Sequence, residues 1–195
     1  NSLLLPLFNP FRPTEFCRLH DLEYFSISET KRDGASKDVA REFIQWLCEL
    51  AVKENIGFRE ETGNPATWVP EIGRFVISCL RARRCAVCGK VHDFEHGDIV
   101  DLDHWNTISS SAGNYENDDG LQNPFISLCR EHHMIKHAIG KEEFQEKYIV
   151  GGVWLNPQLV YELLDIYPNH FKLFRKRLKE GYYDGLINKK EQERK

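Results

Sequence analysis

The stretch Cys85-Ala-Val-Cys88-Gly-Lys, then Val100-Asp-Leu-Asp-His104-Trp, then Gly120-Leu-Gln-Asn123-Pro-Phe-Ile-Ser-Leu-Cys129-Arg-Glu-His132-His-Met-Ile-Lys-His137 decides how this chain reads. Cys85-x-x-Cys88 and Cys129-x-x-His132 are two pairs of soft ligands. Two such residues, separated by two others on a tight turn, grip one ion, and a second pair completes a tetrahedron. Three thiolates and one imidazole select zinc over hard cations. Gly89 permits the turn that follows the second Cys. A lone CxxC would also fit a redox motif, but the second pair falls at a strand-to-helix junction. Four protein ligands close the sphere, so this zinc is expected to brace the fold and do no chemistry. Residues 99–104 alternate apolar and polar and predict a strand. Residues 105–122, rich in Ser, Gly and Asn, predict a long loop. Residues 124–129 predict a second strand, and 131–139 a short helix stopped by Gly140.

A second cluster shares this segment. Asp103-His104 ends the first strand, Asn123 precedes the second, and His133 follows the proposed zinc ligand His132 directly. Neighbours on a helix point about 100° apart, so one imidazole can serve the zinc while the other faces elsewhere. His137 lies four residues beyond His133 and shares its face. A carboxylate, three imidazoles and an amide are thus expected to converge. That set suits phosphodiester hydrolysis. Neutral imidazole is a good base near pH 7, and Asp with His can hold a hard cation that offsets phosphate charge.

Outside this region the chain reads as mostly helical. Residues 1–35 show little periodicity, with a short strand expected near 24–27. Ser36 caps a helix predicted over 36–55, with Val39, Phe43, Leu47 and Leu50 at helical spacing and Gly57 ending it. Pro70 opens a second helix, with Ile72, Phe75, Val76, Cys79 and Leu80 on one face and Arg81, Arg83 and Arg84 in its last turn. Helices are expected at 141–147, 157–166 and 168–180, with a Gly-Gly-Val-Trp link at 151–154 and a frayed, charged end at 189–195. Cys48 and Cys79 fall in apolar helical patterns, as buried thiols do; Cys17 carries no signal.

Composition sets bounds. The chain has 195 residues, of which 41% are hydrophobic, 29% charged and 12% aromatic, a globular balance rather than a disordered or collagen-like one. No apolar run approaches the roughly 20 residues a membrane helix needs. The apolar opening lacks a basic flank and a cleavage site, so no signal peptide is expected; a start without Met suggests a fragment or a processed product. The net charge of −4 is low for a nucleic-acid binder, but it hides blocks. Arg81, Arg83, Arg84 and Lys90 form one basic run, and Lys172, Arg175, Lys176, Arg177 and Lys179 another. Between them lies an acidic one: Asp93, Glu95, Asp98, Asp101 and Asp103. The basic blocks are candidates for phosphate contact.

The motifs CAVCG, VDLDHW and GLQNPFISLCREHHMIKH together resemble the HNH nucleases, the ββα-metal or His-Me finger class, in the variety braced by a zinc site. The run LCREHH followed by KHAIGKEEFQEKY is similar to HNH nucleases of phages and prophages. The upstream stretch EYFSISETKRDGASKDVAREFIQWLCEL resembles the region before the nuclease motif in those proteins. The specific motif covers residues 85–140 and the weaker likeness residues 24–155. The resemblance implies an α+β, mainly helical fold, with a zinc-braced ββα-metal core flanked by N- and C-terminal helices. It implies His104 as general base, Asp103 and His133 as ligands of a catalytic divalent ion, and Asn123 as the middle residue that orients the base or sits near the metal. Cys85, Cys88, Cys129 and His132 become the structural zinc set. His137 joins the metal in some members and differs in others. The implied ion is magnesium or manganese, although the His-rich setting also admits zinc or nickel. Many members carry Cys where this chain has His132, and a rival alignment takes His96 as the base. The Asp before His104 and the alternation leading into it favour His104.

The expected organisation is an N-terminal extended and helical region (1–84), a nuclease core (85–140) and a C-terminal helical extension (141–195). The expected function is metal-dependent hydrolysis of DNA, inside a bacterial or phage-infected cell by the same resemblance. A zinc-braced nucleic-acid-binding module without catalysis is the alternative from another class. A third reading is a nuclease latent until it meets a phage protein or recombinase-coated DNA, docked through the Trp46/Leu47 helix or the basic C-terminal helix.

Overall fold

In the computed structural model, residues 14–19, 25, 34–54, 72–106 and 117–188 are described. They form two compact units, Asn1–Glu54 and Asn55–Lys195. The first holds α1 (Thr14–Leu19) and α2 (Lys37–Lys53). Residues 1–35 lack helical periodicity, yet α1 forms around Phe16, which is fully buried. Its ring meets Phe43 edge-on at 5.2 Å and Trp46 at 5.7 Å, and Phe43 stacks on Trp46 at 6.0 Å. Aromatic burial at this density lets a six-residue helix persist that propensity alone would not sustain. The Ser36 hydroxyl accepts from Val39 N–H at 3.3 Å, as an N-cap should. The buried face of α2 is Phe43, Cys48, Ala51 and Val52, while Val39, Leu47 and Leu50 are half-buried. Gly57, Pro70, residues 189–195 and all of 24–27 except Phe25 lie outside the described residues.

The second unit is built around a hairpin and one helix. Strand β1 (Val100–His104) pairs antiparallel with β2 (Phe125–Cys129), in the register Val100 to Cys129 and His104 to Phe125. The chain then enters α4 (Arg130–Ile139), which packs on both strands. This is the strand, strand, helix order read from the sequence, residues 107–116 of the expected loop lying outside the described residues, and the fold is α+β and mainly helical. Before it comes α3 (Ile72–Arg81), which rests on β2; after it come α5 (Lys141–Tyr148), α6 (Pro157–Leu163) and α7 (Lys172–Lys179). Val76, Leu80, Val100, Phe125, Leu128, Phe144, Leu163 and Phe174 are essentially inaccessible and form the core of this unit.

Several expected helix ends move, among them that of α6, which stops at Leu163 rather than at 166. Helix α3 stops at Arg81, because Arg83 adopts a left-handed backbone (φ 48°) and Arg84 pairs with Val91 to close the knuckle. Phe171 is likewise left-handed (φ 60°), so α7 begins at Lys172 rather than within 168–171. Burial of its ring against Phe125 (5.5 Å) offsets the backbone cost. The Gly-Gly-Val-Trp link is more than a connector. Val153 exchanges two backbone hydrogen bonds with Phe125, each 2.8 Å, and so extends the sheet by one bridge. A Cβ on Gly152 would lie 2.3 Å from Trp105 Cβ, so only glycine lets this segment reach the sheet.

Candidate metal centres and the His104 pair

The knuckle is a closed turn. Cys85 N–H donates to Lys90 O and Gly89 N–H to Cys85 O, both at 2.9 Å, with Gly89 at φ 70°. Ala86 N–H reaches Ser127 O on β2 at 2.9 Å, which sets the knuckle against the start of α4. Cys85, Cys88, Cys129 and His132 consequently meet, all donor atoms within 4.8 Å of one another. Cys88 Sγ lies 3.9 Å from Cys129 Sγ; His132 Nδ1 lies 3.2 Å from Cys129 Sγ and 3.7 Å from Cys85 Sγ. A tetrahedron with zinc–ligand bonds of about 2.0–2.3 Å has edges of about 3.5–3.8 Å, so the donor set fits zinc. The Cys85 thiol donates to Cys88 and pulls its pKa down to about 5, while that bond and burial push Cys85 up. One thiolate is thus already favoured at neutral pH, as a metal ligand requires.

Helix α4 carries the second cluster on its next face. Asp103, His133 and His137 present their donor atoms within 4.8 Å of one another. His133 Nε2 lies 2.9 Å from His137 Nε2 and 3.4 Å from Asp103 Oδ1. Exposure rises from buried Asp103 through half-buried His133 to exposed His137. An O,N,N set open on one side suits a divalent ion with positions left for substrate, unlike the closed zinc set.

Two residues absent from the sequence reading complete the surroundings. Lys136 is 5% exposed, and its Nζ donates to Asp103 Oδ2 and to His104 O, both at 2.6 Å. It neutralises one oxygen of a buried carboxylate while the other faces His133. Asp118 Oδ2 lies 2.5 Å from His104 Nε2, and both side chains are under 10% exposed. Strand alternation explains the division: Asp101 and Asp103 face α4, while His104 turns to the other side against the Phe125 ring at 4.5 Å. Asp103, His133 and His137 are therefore brought together, whereas the His104 ring, next along the strand, meets Asp118 on the other side and the Asn123 amide is not part of the cluster. The Asn123 side chain holds the turn leaving β1, donating to Asn106 O at 3.0 Å and accepting from Asn106 N–H at 3.3 Å.

His92 and His96 serve turns. His96 is exposed and bonded to Asp93 at 2.6 Å, and His92 Nδ1 accepts from Val100 N–H at 3.1 Å. Burial lowers the His92 pKa, which keeps that acceptor neutral. Burial lowers the His170 pKa too. Of the basic blocks, the first is occupied. Arg81 pairs with Glu162, Arg83 donates to Val100 O, and Arg84 donates to Gly89 O. In α7, Arg177 pairs with Asp119 and Arg175 donates to Leu164 O. Lys172, Lys176 and Lys179 stay exposed at spacings of four and three, which makes one stripe.

A family profile described as "Putative HNHc nuclease" matches residues 15–163. No curated protein and no solved structure matches the chain. No described helix is long and apolar enough to cross a membrane.

Proposed function

Since the chain belongs to the HNH nuclease family, we propose that it is a metal-dependent endonuclease that hydrolyses DNA phosphodiester bonds, with His104 as general base. The observation that carries this reading is the division of labour on α4. His132 joins the zinc-type set, while the next residue, His133, joins Asp103 and His137 in an open one. A purely binding module has no need of the second set.

Each residue then has a task. Cys85, Cys88, Cys129 and His132 hold zinc and fix the hairpin to α4. Asp103, His133 and His137 hold magnesium or manganese, which when bound offsets negative charge on the phosphate and on the departing oxygen. His104 takes the proton from the attacking water. Lys136 ties the Asp103 carboxylate to the His104 backbone, so ligand and base keep their spacing. Asn123 holds the turn that follows the base. The Lys172, Lys176 and Lys179 stripe supplies sequence-independent phosphate contact, which reconciles an acidic chain with a nucleic-acid substrate.

The test is incubation with supercoiled plasmid in magnesium or manganese, and in chelator. Nicked circles that ligase reseals are expected only with metal, because hydrolysis at the 3′ oxygen leaves 3′-hydroxyl and 5′-phosphate ends. Salt-dependent binding with no cutting in any metal would overturn the proposal in favour of a binding module.

A further inference from the structure

We propose that Asp118 is the positioning residue of His104: it fixes the ring tautomer and makes Nδ1 the basic nitrogen. This inference rests on the nuclease reading of His104. The geometry is built rather than incidental. Asp118 Oδ2 faces His104 Nε2 at 2.5 Å, and Asp118 Oδ1 accepts from Gly120 N–H at 2.8 Å. Both carboxylate oxygens are thus committed, and the group is 6% exposed. The next residue locks the loop. Asp119 accepts from Leu121 N–H at 3.1 Å and pairs with Arg177 of α7. Gly120 sits at φ 81° with the Phe171 ring 2.6 Å from where a Cβ would be, so the turn depends on glycine. A carboxylate held this way accepts a hydrogen from Nε2. The hydrogen therefore lies on Nε2, and the lone pair lies on Nδ1.

The same geometry dictates what Asp118→Asn does. Gly120 N–H needs an acceptor, so the amide oxygen takes that position and the NH2 group turns toward His104. Nε2 must then accept, and the ring hydrogen moves to Nδ1. The base nitrogen is blocked with little change in shape.

The experiment compares the zinc-loaded parent, Asp118→Asn and Asp118→Glu. Long-range 1H–15N spectra are taken where the ring is neutral, and His104 is assigned by its absence in His104→Gln. Expected are Nε2–H in the parent and Nδ1–H in Asp118→Asn. The swap should lower kcat by about 10²–10⁴-fold with zinc content and circular dichroism unchanged. Asp118→Glu should keep Nε2–H and recover part of the rate. A merely structural Asp118 would alter folding without swapping the tautomer. Asp118→Asn that keeps Nε2–H overturns the inference, and so does one that swaps tautomer at parental kcat. A parent that cuts nothing overturns the nuclease reading and with it the reaction Asp118 would serve; that failure is told apart because the tautomer is read without substrate.

Discussion

His104→Ala is expected to lower plasmid nicking by about 10³-fold, near 4 kcal/mol of transition-state stabilisation. The figure is that of a positioned general base, since phosphate binding and metal coordination would survive the change. The ring also packs on Phe125 at 4.5 Å, so alanine leaves a cavity and costs some stability. His104→Gln fills most of that space and should lose as much activity while unfolding near the parental temperature. His96→Ala is the matched control. That ring sits on an exposed turn with Asp93, and its removal should leave nicking within about twofold. Parental rates in His104→Ala and His104→Gln would remove His104 from the chemistry; loss in His96→Ala instead would restore the rival alignment.

The second large effect is on stability. Cys129→Ser should abolish zinc loading and lower the unfolding temperature by roughly 6–12 °C, equivalent to about 3 kcal/mol for a chain of this size. Cys129 is also the N-cap of α4 and makes no side-chain capping bond there. Serine is a strong N-cap, worth about 1 kcal/mol, so Cys129→Ser understates the metal's contribution and Cys129→Ala should fall further. Activity should fall with the zinc in both, because His132 and His133 are adjacent on one helix turn and the set that fixes one fixes the other. Full zinc content with parental unfolding in both variants would deny Cys129 a place in the metal set.

Local sequence carried much of this. The ligand spacing showed the knuckle, alternation showed β1, and the 100° step between His132 and His133 separated two clusters on one helix. What local sequence lacks is pairing across distance. Asp118 lies in Glu116-Asn-Asp-Asp-Gly120, which reads as turn chemistry; that it reaches His104 depends on the path of the chain between the strands. Lys136 stands three residues after His133, on the ligand face, but a lysine on a short helix ordinarily faces water. The buried Asp103 carboxylate and the His104 carbonyl, both distant in sequence, explain its burial. Arg81 and Arg83 read as a helix end facing solvent, whereas their partners Glu162 and Val100 O lie in other elements. The left-handed residues Arg83 and Phe171 have no composition signal at all, since neither residue type favours that backbone.

On the proposed function, Asp103, His133 and His137 hold the ion that works with His104. The most direct measurement is nicking of supercoiled plasmid by the zinc-loaded parent and by His133→Ala across a manganese titration. Saturable cutting is expected from the parent, and from His133→Ala a manganese requirement raised by at least about 10-fold or no cutting at all. Equal cutting by both at every manganese concentration would remove His133 from the metal set, and no cutting by the parent would remove the nuclease reading.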